Sequence, residues 1–185
     1  TYQNVVQKFN SSGVYQFSWI IDFTRPPQAI CIEDDNVHVL FQSESLVKVF
    51  DTSGNYIDGY NIRSDNNTIS LDYFARFVAD SNYVYIPDYY SNCIKVYDKV
   101  GNYISSFGGA SISDGILLNP VALTIDPILN RIYVIDDYSG EVKYYDLTTF
   151  AYEGKFGAYG TDDGELTEPV AISTDSDSNI YIVNH

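Results

Sequence analysis

The 185 residues carry 10 Lys+Arg against 25 Asp+Glu, a formal net charge of -15 and a pI near 4.1. That balance excludes nucleic acid, whose phosphates a binder neutralises with Lys and Arg, and docking on anionic lipid. No apolar run approaches the roughly 18 residues needed to span a bilayer, so no membrane insertion is expected. No signal-peptide pattern opens the chain. Methionine is absent, so Thr1 is not a translation start, and the sequence reads as a processed chain or an excerpt of a longer one. Eighteen Tyr residues and an aromatic content of 16% favour pleated, half-buried surfaces, which makes the expected class all-β.

Residues 1-20 read as the two outer strands of a split unit. Val5-Val6-Gln7-Lys8-Phe9-Asn10 is followed by a turn and by Gly13-Val14-Tyr15. Residues 21-60 form a first full repeat. Its inner hairpin is Pro27 to Glu33 followed by Val37 to Phe41, and its outer hairpin is Leu46 to Asp51 followed by Gly54-Asn55-Tyr56-Ile57. Residues 61-107 repeat the scheme with Phe74 to Asp80, Val84 to Asp88, Cys93 to Asp98 and Gly101-Asn102-Tyr103-Ile104. Residues 108-156 do so again with Pro120 to Asp126, Ile132 to Asp136 and Glu141 to Asp146. Residues 157-185 supply the two inner strands of the split unit, Pro169 to Asp175 and Ile180 to Asn184. Asn10, Asp51, Asp98 and Asp146 recur at spacings of 41, 47 and 48 residues. Four short strands in each 40- to 50-residue repeat, parted by Gly, Asn, Asp and Ser turns, predict a β-propeller of four-stranded antiparallel blades.

The pattern resembles the NHL-repeat propellers. Their frame runs Phe-Gly, a Gly-containing loop, Pro, an apolar strand ending in Asp, a Tyr-Val strand ending in Asp, and a Lys/Arg strand ending in Phe/Tyr-Asp. The third repeat supplies Phe107, Gly108, Gly115, Pro120, Asp126, Tyr133, Val134, Asp136, Lys143 and Asp146. The fourth supplies Phe156, Gly157, Gly164, Pro169, Asp175, Tyr181 and Asn184. Phe74 stands where the frame has Pro, and Phe41 where it has Asp. The split phase leaves three arrangements open: a closed four-bladed ring, part of a longer propeller such as one of six blades, or strand exchange in which the outer strands of one molecule complete the inner strands of the next.

The candidate chemistry is sparse. His38 and His185 lie in different repeats, whereas a catalytic zinc needs about three converging ligands. His38 falls where other repeats have Tyr85, Tyr133 and Tyr181 and reads as packing. Asp175-Ser176-Asp177-Ser178-Asn179 lacks the Gly and distal Glu of a calcium loop and reads as a turn. Asp162-Asp163-Gly164-Glu165 reads as a solvated acidic loop. Asp88, Asp136 and Asn184 are expected to bond the backbone of the following turn. Cys31 and Cys93 read as separate thiols. Asn10 and Asn66 head glycosylation sequons. Tyr89, Tyr90 and Tyr138, in loops between second and third strands, are either packed side chains or a stacking surface for sugar or peptide.

These readings make the chain a non-enzymatic extracellular or cell-surface module for protein binding or structural assembly, with no catalytic residue, metal or cofactor. Its expected partner surface is Tyr89, Tyr90, Tyr138, Asp162 and Asp163. Protein partners or self-association through the split blade are expected, with carbohydrate as a further ligand. The alternative is a fragment of a six-bladed propeller hydrolase or lyase whose catalytic groups lie in other blades.

Overall fold

A computed structural model describes residues 4-22, 26-41, 45-62, 76-109 and 115-185. The described residues form sixteen strands: β1 (Asn4–Phe9), β2 (Tyr15–Asp22), β3 (Ala29–Glu33), β4 (Asn36–Phe41), β5 (Leu46–Asp51), β6 (Tyr56–Asn61), β7 (Val78–Ala79), β8 (Tyr83–Asp88), β9 (Cys93–Asp98), β10 (Tyr103–Phe107), β11 (Pro120–Asp126), β12 (Arg131–Asp136), β13 (Glu141–Asp146), β14 (Tyr152–Phe156), β15 (Pro169–Thr174) and β16 (Ile180–Asn184). They assemble into three four-stranded antiparallel meanders, β3–β6, β7–β10 and β11–β14, and two two-stranded sheets, β1–β2 and β15–β16. The four-stranded sheets are blades 1, 2 and 3; the two-stranded sheets are half-blades. Phe74 and the sequon at Asn66 lie outside the described residues.

The second strand of each blade is apolar at nearly every position because both of its faces are covered. In β8, Val84 and Ile86 join Leu40, Val47, Val49 and Phe77 between blades 1 and 2, while Tyr85 joins Leu123, Ile132 and Tyr145 between blades 2 and 3. At one end of the row Val6, Trp19 and Ile21 of the first half-blade pack on Val37, Val39 and Phe50 of blade 1. At the other end Ile172, Ile180 and Ile182 of the second half-blade pack on Ala122, Tyr133 and Ile135 of blade 3.

One local device closes three of the four outer hairpins, while in the fourth Asp146 accepts the N–H groups two and three residues on. The side chains of Asn10, Asp51 and Asp98 each accept the backbone N–H groups two and four residues on, at 2.8 to 3.0 Å. Gly13, Gly54 and Gly101 take the left-handed conformation that these turns need, at φ 75°, 85° and 88°. The last aromatic residue of the third strand then meets a Tyr of the fourth edge-on, at 5.8 to 5.9 Å, in Phe9–Tyr15, Phe50–Tyr56, Tyr97–Tyr103 and Tyr145–Tyr152.

This shared register agrees with the spacing counted from Asn10, Asp51, Asp98 and Asp146. Gln7 faces Ser18 across the hairpin as Lys48 faces Gly59, Lys95 faces Ser106 and Lys143 faces Lys155. Gln7, not Lys8, is therefore the counterpart of the recurring Lys. Lys8 instead reaches back to the carbonyl of Thr52 at 2.9 Å.

Candidate functional site

The first strands of the blades, β3, β7, β11 and β15, surround a cavity of about 960 Å3, near the upper end of the roughly 300–1,000 Å3 usual for small-ligand pockets. Its wall is largely aliphatic, with Ile30, Val78, Leu123 and Ile172, and Arg76, Asp137 and Glu168 bring charge to it. The cross-strand pairs Pro120↔Asp136 and Pro169↔Asn184 show that inner strands begin where second strands end. Asp137 and Glu168 flank these pairs, and Tyr89, Tyr90 and Tyr138 follow the second strands at the same end of their blades.

Packing does not account for two of those tyrosines. Tyr90 and Tyr138 are 67% and 73% exposed, and Tyr89 meets Tyr90 edge-on at 5.3 Å. Beside Tyr138, the loop from Gly157 to Glu168, which joins blade 3 to β15, adds an exposed Tyr159 that the sequence did not single out. Gly140, in the turn that carries Tyr138, lies so close to Tyr159 and Leu166 that a Cβ would collide with their backbone. Asp162 and Asp163 lie exposed in the same loop, where the Asp162 N–H donates to the Glu165 carboxylate at 3.0 Å. This end of the molecule can therefore offer aromatic faces and carboxylates together.

The Asp/Asn at the end of the second strand does different work from that expected. Asp136 accepts the backbone N–H groups of Leu118 and Asn119, in the loop before its own blade, at 3.1 and 2.9 Å. Asn184 does the same for Thr167 and Glu168 at 2.9 and 3.2 Å. Asp88 does follow the expectation, accepting from Ser91 at 3.0 Å. Buried Lys143 ion-pairs with fully buried Asp136, and Lys95 pairs with Asp88 at 2.6 Å. In blade 1, where Phe41 replaces the acid, Lys48 lies over the Phe41 ring and takes Asp22 of the neighbouring half-blade at 2.8 Å. Each of these buried or partly buried ammonium groups has a carboxylate, as removal from water demands.

The remaining candidates lie in turns and in the cores between blades. The Asp175 carboxylate accepts from the N–H groups of Asp177 and Asn179, the Asn179 amide and the Tyr181 hydroxyl, at 2.8 to 2.9 Å. The Asn179 amide and the Tyr181 hydroxyl draw its pKa down to about 2. Those four donors take up the oxygens a cation would need. Among the described residues no three His, Cys, Asp or Glu side chains gather as metal ligands. Cys31 and Cys93 are free thiols, and burial pushes them up to about 12 and about 11. His38 is buried more elaborately than a packing role requires. Its Nε2 lies 3.4 Å from the Glu33 carboxylate, which Lys99 of blade 2 approaches at 3.2 Å, so the group ties two blades together. Asn10 is exposed on the β1–β2 turn, its Oδ1 engaged by that turn.

No known protein-family profile matches the chain, and no curated protein matches it by sequence. Its structure does have relatives. A Bacteroides caccae protein of unknown function aligns at a TM-score of 0.71 and 10% identity, over 99% of this chain and 65% of that one. Myxococcus xanthus glutaminyl cyclase aligns at 0.64 and 9% identity, over 97% of this chain and 77% of that one. Staphylococcus aureus virginiamycin B lyase aligns at 0.63 and 12% identity, over 98% of this chain and 57% of the lyase. The fold is a β-propeller. At these identities the likeness carries the propeller architecture alone, and chemistry has to be argued from the residues.

Proposed function

We propose that this propeller, of NHL-like blades, is a non-enzymatic module for protein binding and structural assembly, outside the cell or on its surface. It works by accepting β-strands at the open edges of β1 and β16. One observation carries this reading. Second and third strands are buried in the complete blades, but β16 leaves Tyr181 and Val183 59% and 60% exposed, and β1 leaves Phe9 51% exposed. Unpaired, apolar strand edges are templates for another chain. Along β1 a groove of about 280 Å3, lined by Val5, Val6, Gln7, Pro27 and Ile30, offers such a strand a seat. The exposed tyrosines and the carboxylates of Asp162 and Asp163 form a second contact surface, suited to basic protein segments or to sugar.

Light scattering over a wide concentration range tests the reading. Association is expected, with Val183→Lys and Val5→Lys weakening it because an edge charge resists strand addition. A chain that stays monomeric throughout, with no strand bound at either edge, overturns it.

A second reading, part of a larger propeller hydrolase or lyase, has one observation in its favour. Beside the cavity, desolvation and the neighbouring Glu168 and Asp136 raise the Asp137 carboxyl above its usual range, as suits a proton donor. That reading requires turnover of a hydrolase or lyase substrate, lost in Asp137→Asn.

A further inference from the structure

The two half-blades carry opposite faces of a single blade. In blade 3, Ile132, Val134 and Tyr145 pack toward blade 2, while Tyr133, Ile135 and Val142 pack toward β15–β16. Strand β16 has only the first kind of contact: Ile180 and Ile182 lie on blade 3, and Tyr181 and Val183 face outward. Strand β1 has only the second: Val6 lies on blade 1, and Val5, Gln7 and Phe9 are exposed.

The second and third strands of all three blades share one pairing, in which the residue before the closing Asp of the third strand faces the second residue of the core of the second strand: Val37↔Phe50, Val84↔Tyr97 and Ile132↔Tyr145. Transferred to the half-blades, that pairing sets Phe9 against Ile180, Lys8 against Tyr181, Gln7 against Ile182, Val6 against Val183 and Val5 against Asn184. Exposed Phe9, Gln7 and Val5 then share a face with the packed Ile180 and Ile182. Exposed Tyr181 and Val183 share the other face with the packed Val6. Each half supplies the cover the other lacks.

Charge points the same way. In blades 2 and 3 an acid ends the second strand and a Lys in the third strand pairs with it, Asp88 with Lys95 and Asp136 with Lys143. The corresponding positions of the half-blades hold Asn184 and Gln7. Both charges are absent together, whereas losing one alone leaves the other buried and uncompensated. Asn184 keeps the loop-holding task of its Oδ1, and its Nδ2 is chemically suited to donate to the Gln7 amide oxygen.

We infer that β1–β2 of one copy of this chain completes β15–β16 of a second copy, in this register, with an Asn184–Gln7 amide pair in place of the buried ion pair. The inference rests on the strand-accepting reading and names its occupant. The occupant named is a second copy because β1–β2 and β15–β16 of one chain are separate sheets, packed on blades 1 and 3 respectively. The contact is head-to-tail, and repetition builds a filament or a ring.

Mixed-copy disulfide formation tests it. One preparation carries Val6→Cys and the other Val183→Cys, and linked peptides are read by mass spectrometry. Opposed residues are expected to link between copies, while Lys8→Cys with Val183→Cys, two residues out of register, links at least about tenfold less because diagonal neighbours stand roughly 7–8 Å apart. Association without the Val6–Val183 link overturns the inference and leaves the strand-accepting reading standing. A link that forms only when both cysteines are in one chain means ring closure by that chain and also overturns it. As a second readout, Gln7→Lys and Asn184→Asp are each expected to weaken association about tenfold or more, and the two together to restore it. Equal loss in the double variant counts against the amide pair.

Discussion

At the level of single residues, Lys143 and Asp136 show how tightly this fold manages charge. The pair is buried, and the Asp136 carboxylate also holds the Leu118 and Asn119 N–H groups. Replacing the cation alone with Lys143→Met leaves a buried, uncompensated carboxylate and is expected to cost about 3–5 kcal/mol. The double variant Asp136→Asn/Lys143→Gln, which reproduces the residues at 184 and 7, is expected to recover most of that loss. Urea unfolding followed by circular dichroism measures both, and equal instability of the single and double variants contradicts the pairing. The thiols give a second test. With Cys31 held near 12 and Cys93 near 11 by burial, both are expected to react with an aromatic disulfide reagent at pH 8 far more slowly in the folded chain than in denaturant. The spacing from the Lys to the closing Asp of the third strand, and the place of Gln7 in it, were visible in the sequence. The ion pair from that Lys to the acid ending the second strand was not, because it depends on how two strands are paired.

At the level of the hairpin, the carboxylates of the turns make stability depend on pH. The Asn55 amide lowers the pKa of Asp51, the Thr149 hydroxyl that of Asp146, and the Asn179 amide and Tyr181 hydroxyl that of Asp175. Each folded pKa lies below the unfolded value, near 3.9. Their contribution is therefore complete above about pH 4 and is lost as pH falls toward the folded values, about 2 for Asp175. The variant Asp51→Asn/Asp98→Asn/Asp146→Asn uses the residue that Asn10 already provides in the first hairpin. Its unfolding free energy is expected to fall less steeply between pH 4 and 2 than that of the unmodified chain. Denaturant titrations at several pH values, read through Trp19 fluorescence, check this; parallel slopes would sink it. These turns were legible beforehand because an Asx side chain acts within five residues of itself. The roles of Asp136 and Asn184 were not, since the N–H groups they accept lie 16 to 18 residues earlier in the chain.

Across the whole molecule, the blades share their cores, so a blade edge matters more than any one contact within a blade. Gly101→Ala is a direct test of that coupling. Its Cβ would run into the carbonyl of Asn61 at the end of blade 1, and Gly101 already has φ 88°. The substitution is expected to lower the unfolding midpoint of the entire chain in a single transition. Gly13→Ala carries similar backbone strain, at φ 75°, but has no neighbour within reach of a Cβ and is expected to cost less. Calorimetry on the two variants separates interblade packing from turn strain.

The sequence by itself determined the four-strand repeat, the turn chemistry and the acidic surface, because each depends on residues close together in the chain. It also marked Tyr89, Tyr90 and Tyr138 as candidates without deciding whether they were packed or displayed. Only the tertiary structure decided their exposure, the addition of Tyr159, the His38–Glu33–Lys99 tie between blades, and the complementary faces of β1 and β16. Those depend on which side of a strand meets a neighbouring blade, and that follows from register and blade order rather than from composition.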